Sequence, residues 1–191
     1  MNVLRLFAVW ILAFSASLSG KAGEEAASPV TIAVLYYSGS GNTKHMAGVI
    51  VEGLHRVDGV EARAFGLDDI DADFVKESRC VIIGSPTHMA DMAPAVKKWF
   101  VESAKQYELA GKIGGVFATA NYHHGGSELV MQGMAVQMLV MGMLVHSGGG
   151  AYGPPIIHLG PAAFGGELEK SRELFLIYGE RMAKKTVELF R

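Results

Sequence analysis

Six consecutive residues, Ser38-Gly39-Ser40-Gly41-Asn42-Thr43, bring together three hydroxyls, one amide and two glycines. The glycines let the backbone wrap tightly, and Ser38, Ser40 and Thr43 supply O–H donors. A helix starting at Asn42 would aim its free N–H groups and the positive end of its dipole at the same point. Such a bend suits the dianion of a phosphate ester. Neither common glycine-rich nucleotide motif accounts for it. Gly39 and Gly41 lack the third glycine of a dinucleotide fingerprint, and Gly111-Lys112 has Gln106 where a P-loop needs glycine.

A phosphate bend of this kind needs a strand before it and a helix after it. Val30 to Tyr37 is almost continuously apolar, the pattern of a strand buried on both faces. Asn42 to Val57 places Met46, Val49, Ile50, Leu54 and Val57 at helical spacing. Further strands are expected over Val60–Phe65, Arg79–Gly84, Ile113–Thr119 and Met143–His146, with helices over Pro94–Gln106, Ser127–Gly142 and Leu168–Phe190. This alternation describes βαβ units around a parallel sheet. Cys80 fits the third strand as a small apolar residue. Met131, Met134, Met138 and Met141 form a helical stripe that core packing or a subunit interface would explain. The stretch Gly148 to Gly166, with seven glycines and three prolines, reads as irregular backbone.

Ligands of an open parallel sheet sit beyond the carboxyl ends of its strands, so the turns after strands one, three and four belong together. The second turn runs from Gly84 to Met92 and the third from Thr119 to Ser127. His123 and His124 do not read as a metal site, because sequence neighbours seldom converge on one ion and no carboxylate is suitably spaced. His45, His55 and His158 read as surface or packing residues.

The run from Ser38 to Thr43 resembles the phosphate loop of the flavodoxin-like family, Ser/Thr-x-Ser/Thr-Gly-Asn-Thr. Pro86, Thr87 and Met92 resemble the ring-contacting segment of the WrbA-type NAD(P)H:quinone oxidoreductases, and Gly149-Gly150-Ala151-Tyr152-Gly153 their terminal segment. The resemblance implies a three-layer α/β sandwich with a five-stranded parallel sheet in the order 2-1-3-4-5 and helices on both faces. It implies FMN as cofactor, its phosphate held by Ser38, Gly39, Ser40, Gly41, Asn42 and Thr43. The ring would lie against Pro86, Thr87, His88, Met89, Ala90 and Asp91, and the opposite rim against Thr119, Ala120, Asn121, Tyr122, Gly125 and Gly126. His123 or His124 would protonate an acceptor. The sequence departs from the family at Met89 (usually aromatic), Ala90 (usually glycine), Asp91 (usually an amide) and the bulky Asn121 to His124. Leu139-Val140-Met141 stands where relatives often carry a histidine pair that reaches a neighbouring subunit.

What the resemblance implies is hydride transfer from NAD(P)H through FMN to a quinone-like acceptor, in a homo-oligomer, dimer or tetramer. An electron carrier that uses FMN with a redox protein partner is the alternative, and a strongly acidic rim would distinguish it. A flavin-free binding module on the same scaffold is a third possibility.

The chain has 191 residues, 17 basic against 19 acidic, and a net charge of −2, so neither nucleic acid nor anionic lipid is expected as partner. One cysteine rules out an internal disulfide. Mean hydropathy is +0.25, much of it from the start of the chain. Arg5, the apolar run Leu6 to Phe14 and the small residues up to Ala22 match a signal peptide or membrane leader over residues 1–22, followed by a linker over 23–29 and one domain over 30–191. An exported or membrane-tethered, periplasmic protein is expected if that leader is genuine. A cytoplasmic one follows if translation starts nearer Val30.

Overall fold

The structure, a computed structural model, describes residues 28–191; the expected leader and residues 23–27 of the expected linker lie outside the described residues. The strands are β1 (Val30–Tyr36), β2 (Val60–Gly66), β3 (Cys80–His88), β4 (Asp91–Met92), β5 (Ile113–Ala120), β6 (Leu144–Val145) and β7 (Ala162–Phe164). The helices are α1 (Asn42–Leu54), α2 (Ala72–Glu77), α3 (Pro94–Glu102), α4 (Ser127–Val140) and α5 (Leu168–Phe190).

The sheet runs β2-β1-β3-β5-β6, the expected 2-1-3-4-5 order with β5 and β6 as the fourth and fifth strands. All these neighbours are parallel. Pairing of Tyr36 with Gly84 and of Pro86 with Thr119 brings the carboxyl ends of β1, β3 and β5 to one edge.

Alternate residues of β1 face opposite sides, which is why the strand reads as continuously apolar. Ile32 and Val34 pack with Met46 and Ile50 of α1 and with Phe175, Tyr178 and Met182 of α5. Ala33 and Leu35 belong to the other layer, with Trp99 and Phe100 of α3 and Met131, Met134 and Met138 of α4. The methionine stripe is therefore mainly core. On the first face α1 and α5 meet backbone to backbone, because a Cβ at Gly53 would collide with the Leu176 carbonyl and one at Gly179 with that of Ile50. Cys80 is fully buried, and that burial pushes its thiol up to about 12, outweighing the hydrogen bond to Thr186 that lowers it. It is a packing residue with little thiolate character.

Several elements differ from expectation. α1 ends at Leu54 rather than Val57, and α3 ends at Glu102, followed by a single 3-10 turn over Ala104–Tyr107. Helix α2 is too short to show a periodicity. Its start is set by Asp71, whose carboxylate accepts from the Phe74 N–H at 3.0 Å, and it buries Phe74 and Val75. Its carboxyl end is closed by Lys112, whose ammonium donates to the carbonyls of Val75 (3.0 Å), Ser78 (2.8 Å) and Lys76. The fifth strand is divided: β6 pairs with Ile113 and Gly114, while β7 pairs with Ala118 to Ala120. The excursion between them is pinned by Arg181 of α5, whose guanidinium donates to the carbonyls of Gly148, Gly149, Gly153, Pro154 and Pro155. Among the described residues no helix is long and apolar enough to cross a membrane.

Candidate cofactor site

The bend after β1 is shaped by one side chain. Ser38 Oγ accepts from the N–H groups of Gly41 (3.1 Å) and Lys44 (3.2 Å), closing the loop onto the first turn of α1. Gly41 has φ +93°, a left-handed conformation that a side chain would strain. Thr43 is buried and its hydroxyl lies 2.8 Å from that of Thr119 at the end of β5. Among the described residues the N–H groups of Gly39, Ser40, Asn42 and Thr43 meet no acceptor. The cradle is thus made of backbone N–H groups at a helix start, with Ser38 and Thr43 fixing its walls.

The cradle opens into a cleft of about 220 Å³ lined by Gly39, Ser40 and Asn42 from the bend, Pro86, Thr87 and His88 from β3, and Thr119, Ala120 and Asn121 from the end of β5. All three expected turns converge there. The Thr87 hydroxyl oxygen is buried and has no partner among the described residues.

Strand β3 continues four residues past its expected end and folds back as a hairpin. Thr87 pairs with Met92 and His88 with Asp91, so Met89 and Ala90 are the two turn residues. Both have positive φ, +51° and +61°. Such turns favour Asn-Gly, and a left-handed residue bearing a Cβ costs about 1–2 kcal/mol. Ser85 anchors the base: its Oγ accepts from the Ala93 N–H at 2.9 Å and donates to the Pro86 carbonyl at 2.8 Å. Gly126, at the start of α4, allows close approach, since a Cβ there would lie 2.7 Å from that of Ala90. Asp91 accepts from the Met92 N–H at 2.7 Å. Met89 is fully exposed.

The turn after β5 carries Tyr122, His123 and His124 to the surface. The His123 ring packs at a tilt of 34° against Phe164, centroids 4.0 Å apart, and its Nε2 lies 3.6 Å from a Glu167 carboxylate oxygen. Neither His123 nor His124 lines the cleft. Gly125 donates its N–H to the Tyr122 carbonyl at 3.0 Å, closing the turn. Lys170, and after it His123, holds the Glu167 carboxyl below the usual carboxylate range. A neighbouring hollow between the starts of α1 and α5 carries His45 and Glu169, 3.1 Å apart.

Carboxylates crowd this edge of the sheet. Asp68 and Asp69 follow β2, Asp91 lies in the hairpin, Glu128 in the first turn of α4, and Glu167 and Glu169 at the start of α5. Of these, Glu167 pairs with Lys170 at 2.8 Å and Glu169 lies against His45. The sequence did not disclose this rim, because its acids lie far apart along the chain.

A phosphate ester carrying a flat polar ring suits these residues. Free N–H donors gather at a helix start, and an unpartnered buried hydroxyl at Thr87 awaits a polar edge.

The flavodoxin family profile matches residues 34–143. A flavodoxin of Clostridium saccharobutylicum is 39 % identical over 159 residues, covering 83 % of this chain and 99 % of that protein. An NAD(P)H dehydrogenase (quinone) of Syntrophobacter fumaroxidans is 26 % identical, covering 60 % of this chain and 69 % of that protein. The crystal structure of a flavodoxin, WrbA-like protein from Agrobacterium tumefaciens superposes with a TM-score of 0.69 at 22 % identity, over 83 % of this chain and 98 % of the other. With its fold, its phosphate bend and these matches, the chain belongs to the flavodoxin family, whose cofactor is FMN.

Proposed function

We propose that this protein is an FMN-dependent electron carrier that docks a redox protein with a basic surface. The observation that carries the reading is the set of carboxylates on the elements that meet at the carboxyl edge of the sheet, Asp68 and Asp69 after β2, Asp91 in the hairpin, Glu128 at the start of α4, and Glu167 and Glu169 at the start of α5. Facing negative potential steers a cationic partner and fixes its orientation. Similarity to a flavodoxin along nearly that protein's whole length supports the same reading. Bound FMN supplies reversible electron uptake. The chain's own residues do the rest. The N–H groups of Gly39, Ser40, Asn42 and Thr43 hold the phosphate, Thr87 meets a polar edge of the ring, and the β3–β4 hairpin covers one side.

A second reading, an NAD(P)H:quinone oxidoreductase, draws support from the 26 % identical relative. In such an enzyme a histidine would protonate the acceptor. His123 faces Glu167 and Phe164, and the histidine that lines the cleft is His88.

The test begins with an absorption spectrum after addition of FMN. The carrier reading expects flavin bands, slow NADH oxidation with a soluble quinone, and fast electron exchange with a basic redox protein that slows as salt is raised. Rapid NADH-dependent quinone reduction would establish the second reading. A protein that takes up no FMN would end both.

A further inference from the structure

The methionines of the described residues divide by access. Met46, Met134, Met138 and Met182 have no accessible surface, and Met92, Met131 and Met143 are buried. Met141 is partly covered by the α3–α4 layer. Met89 alone among them is fully exposed, at 100 %. It occupies the tip of the β3–β4 hairpin, two residues beyond Thr87 in the cleft wall. The base of the hairpin is anchored by Ser85 to Ala93, and the second turn residue, Ala90, lies against Gly126.

Oxidation of a thioether follows its exposure to dissolved oxidant, and the product is a polar, hydrated group in place of an apolar one. We propose that Met89 is an oxidative modification site of the flavin-free protein, at which hydrogen peroxide converts the thioether to a sulfoxide and so weakens the contact that the hairpin then makes with the flavin ring. The sulfur lone pair attacks one peroxide oxygen. The O–O bond breaks as the S–O bond forms, and the departing hydroxide takes up the remaining proton as water. Sulfur gives up two electrons and peroxide receives them. The modification alters the tip while the anchored base holds, so its effect falls on ring contact rather than on folding. It is reversible by enzymes that reduce methionine sulfoxide. The oxidation site stands on exposure alone; its effect on flavin binding rests on the function proposed above.

The test treats the flavin-free full-length protein and its Met89→Leu variant with graded hydrogen peroxide, then maps oxidised peptides by mass spectrometry and titrates FMN by fluorescence. The Met89 peptide should gain oxygen about tenfold faster than peptides carrying the covered methionines. FMN affinity of the wild type should fall by about 2- to 10-fold, the scale of a lost sulfur–aromatic contact. Methionine sulfoxide reductase should restore it, and Met89→Leu should keep its own affinity throughout. Equal oxidation of Met141 or a buried methionine overturns the site. Complete oxidation of Met89 with unchanged FMN affinity overturns its effect. Failure of the untreated protein to bind FMN overturns the function proposed above and with it the flavin effect, while the peptide map still decides the site.

Discussion

The hydroxyls of Thr43 and Thr119 lie 2.8 Å apart, both side chains buried, and tie the first turn of α1 to the end of β5. Two of the three turns that form the cleft are thus held by one neutral hydrogen bond, shielded from water. Replacing either threonine by valine strands the other hydroxyl, at a cost of about 1–3 kcal/mol. Thr43→Val and Thr119→Val should each lower stability in urea and weaken FMN binding. The double variant should lose less than the two single losses added together. Strict additivity would mean that the pair does not couple the turns.

Ser38 acts within the loop, as acceptor for the Gly41 and Lys44 N–H groups. Loss of a side-chain cap of this kind costs about 1 kcal/mol. Ser38→Ala should therefore reduce the melting temperature of the flavin-free protein as well as its FMN affinity. A change in affinity with no change in apoprotein stability would make Ser38 a direct ligand contact instead.

Ala90 holds φ +61° and abuts Gly126, which has φ +90°. Ala90→Gly should stabilise the protein by about 1 kcal/mol, since glycine adopts this backbone without the Cβ penalty. Gly126→Ala should destabilise it, through its own positive φ and the collision with Ala90. Chemical denaturation of the two variants gives the opposite signs directly.

Lys112 closes the end of α2 with three carbonyl contacts. Lys112→Met should cost about 1–3 kcal/mol by leaving those carbonyls short of donors. Burial first, and then the charge of Arg79, hold the ammonium below its ordinary value of 10.5. The unfolded chain thus binds this proton more tightly, and stability rises with pH between the folded and unfolded values. The stability gap between wild type and Lys112→Met should widen as pH climbs toward 10.5. A narrowing gap would mean that the carbonyls outweigh desolvation.

Long periodic segments were legible in the sequence. Leu168–Phe190 and the start of α1 match the observed helices, and the βαβ alternation gave the parallel sheet, while its strand order came from the family resemblance. What escaped was settled by contacts between distant residues. Helix α2 depends on a cap at Asp71 and a lysine more than thirty residues later. The extension of β3 through Pro86 depends on pairing with Thr119 and on the return at Asp91. At the site, residue types identified three converging turns, while side-chain direction did not follow from them. Ser38 and Thr43 turn into the walls, and His123 lies between Glu167 and the Phe164 ring.

The division of the fifth strand also bears on solubility. An uninterrupted outer strand presents a row of unpaired backbone groups onto which a foreign chain can zip. Here that margin comes in two lengths, Leu144–Val145 and Ala162–Phe164, separated by a segment clamped to Arg181. An intruding strand finds too few consecutive partners to take hold, so the same detour that breaks the regularity of the sheet guards its open flank against aggregation.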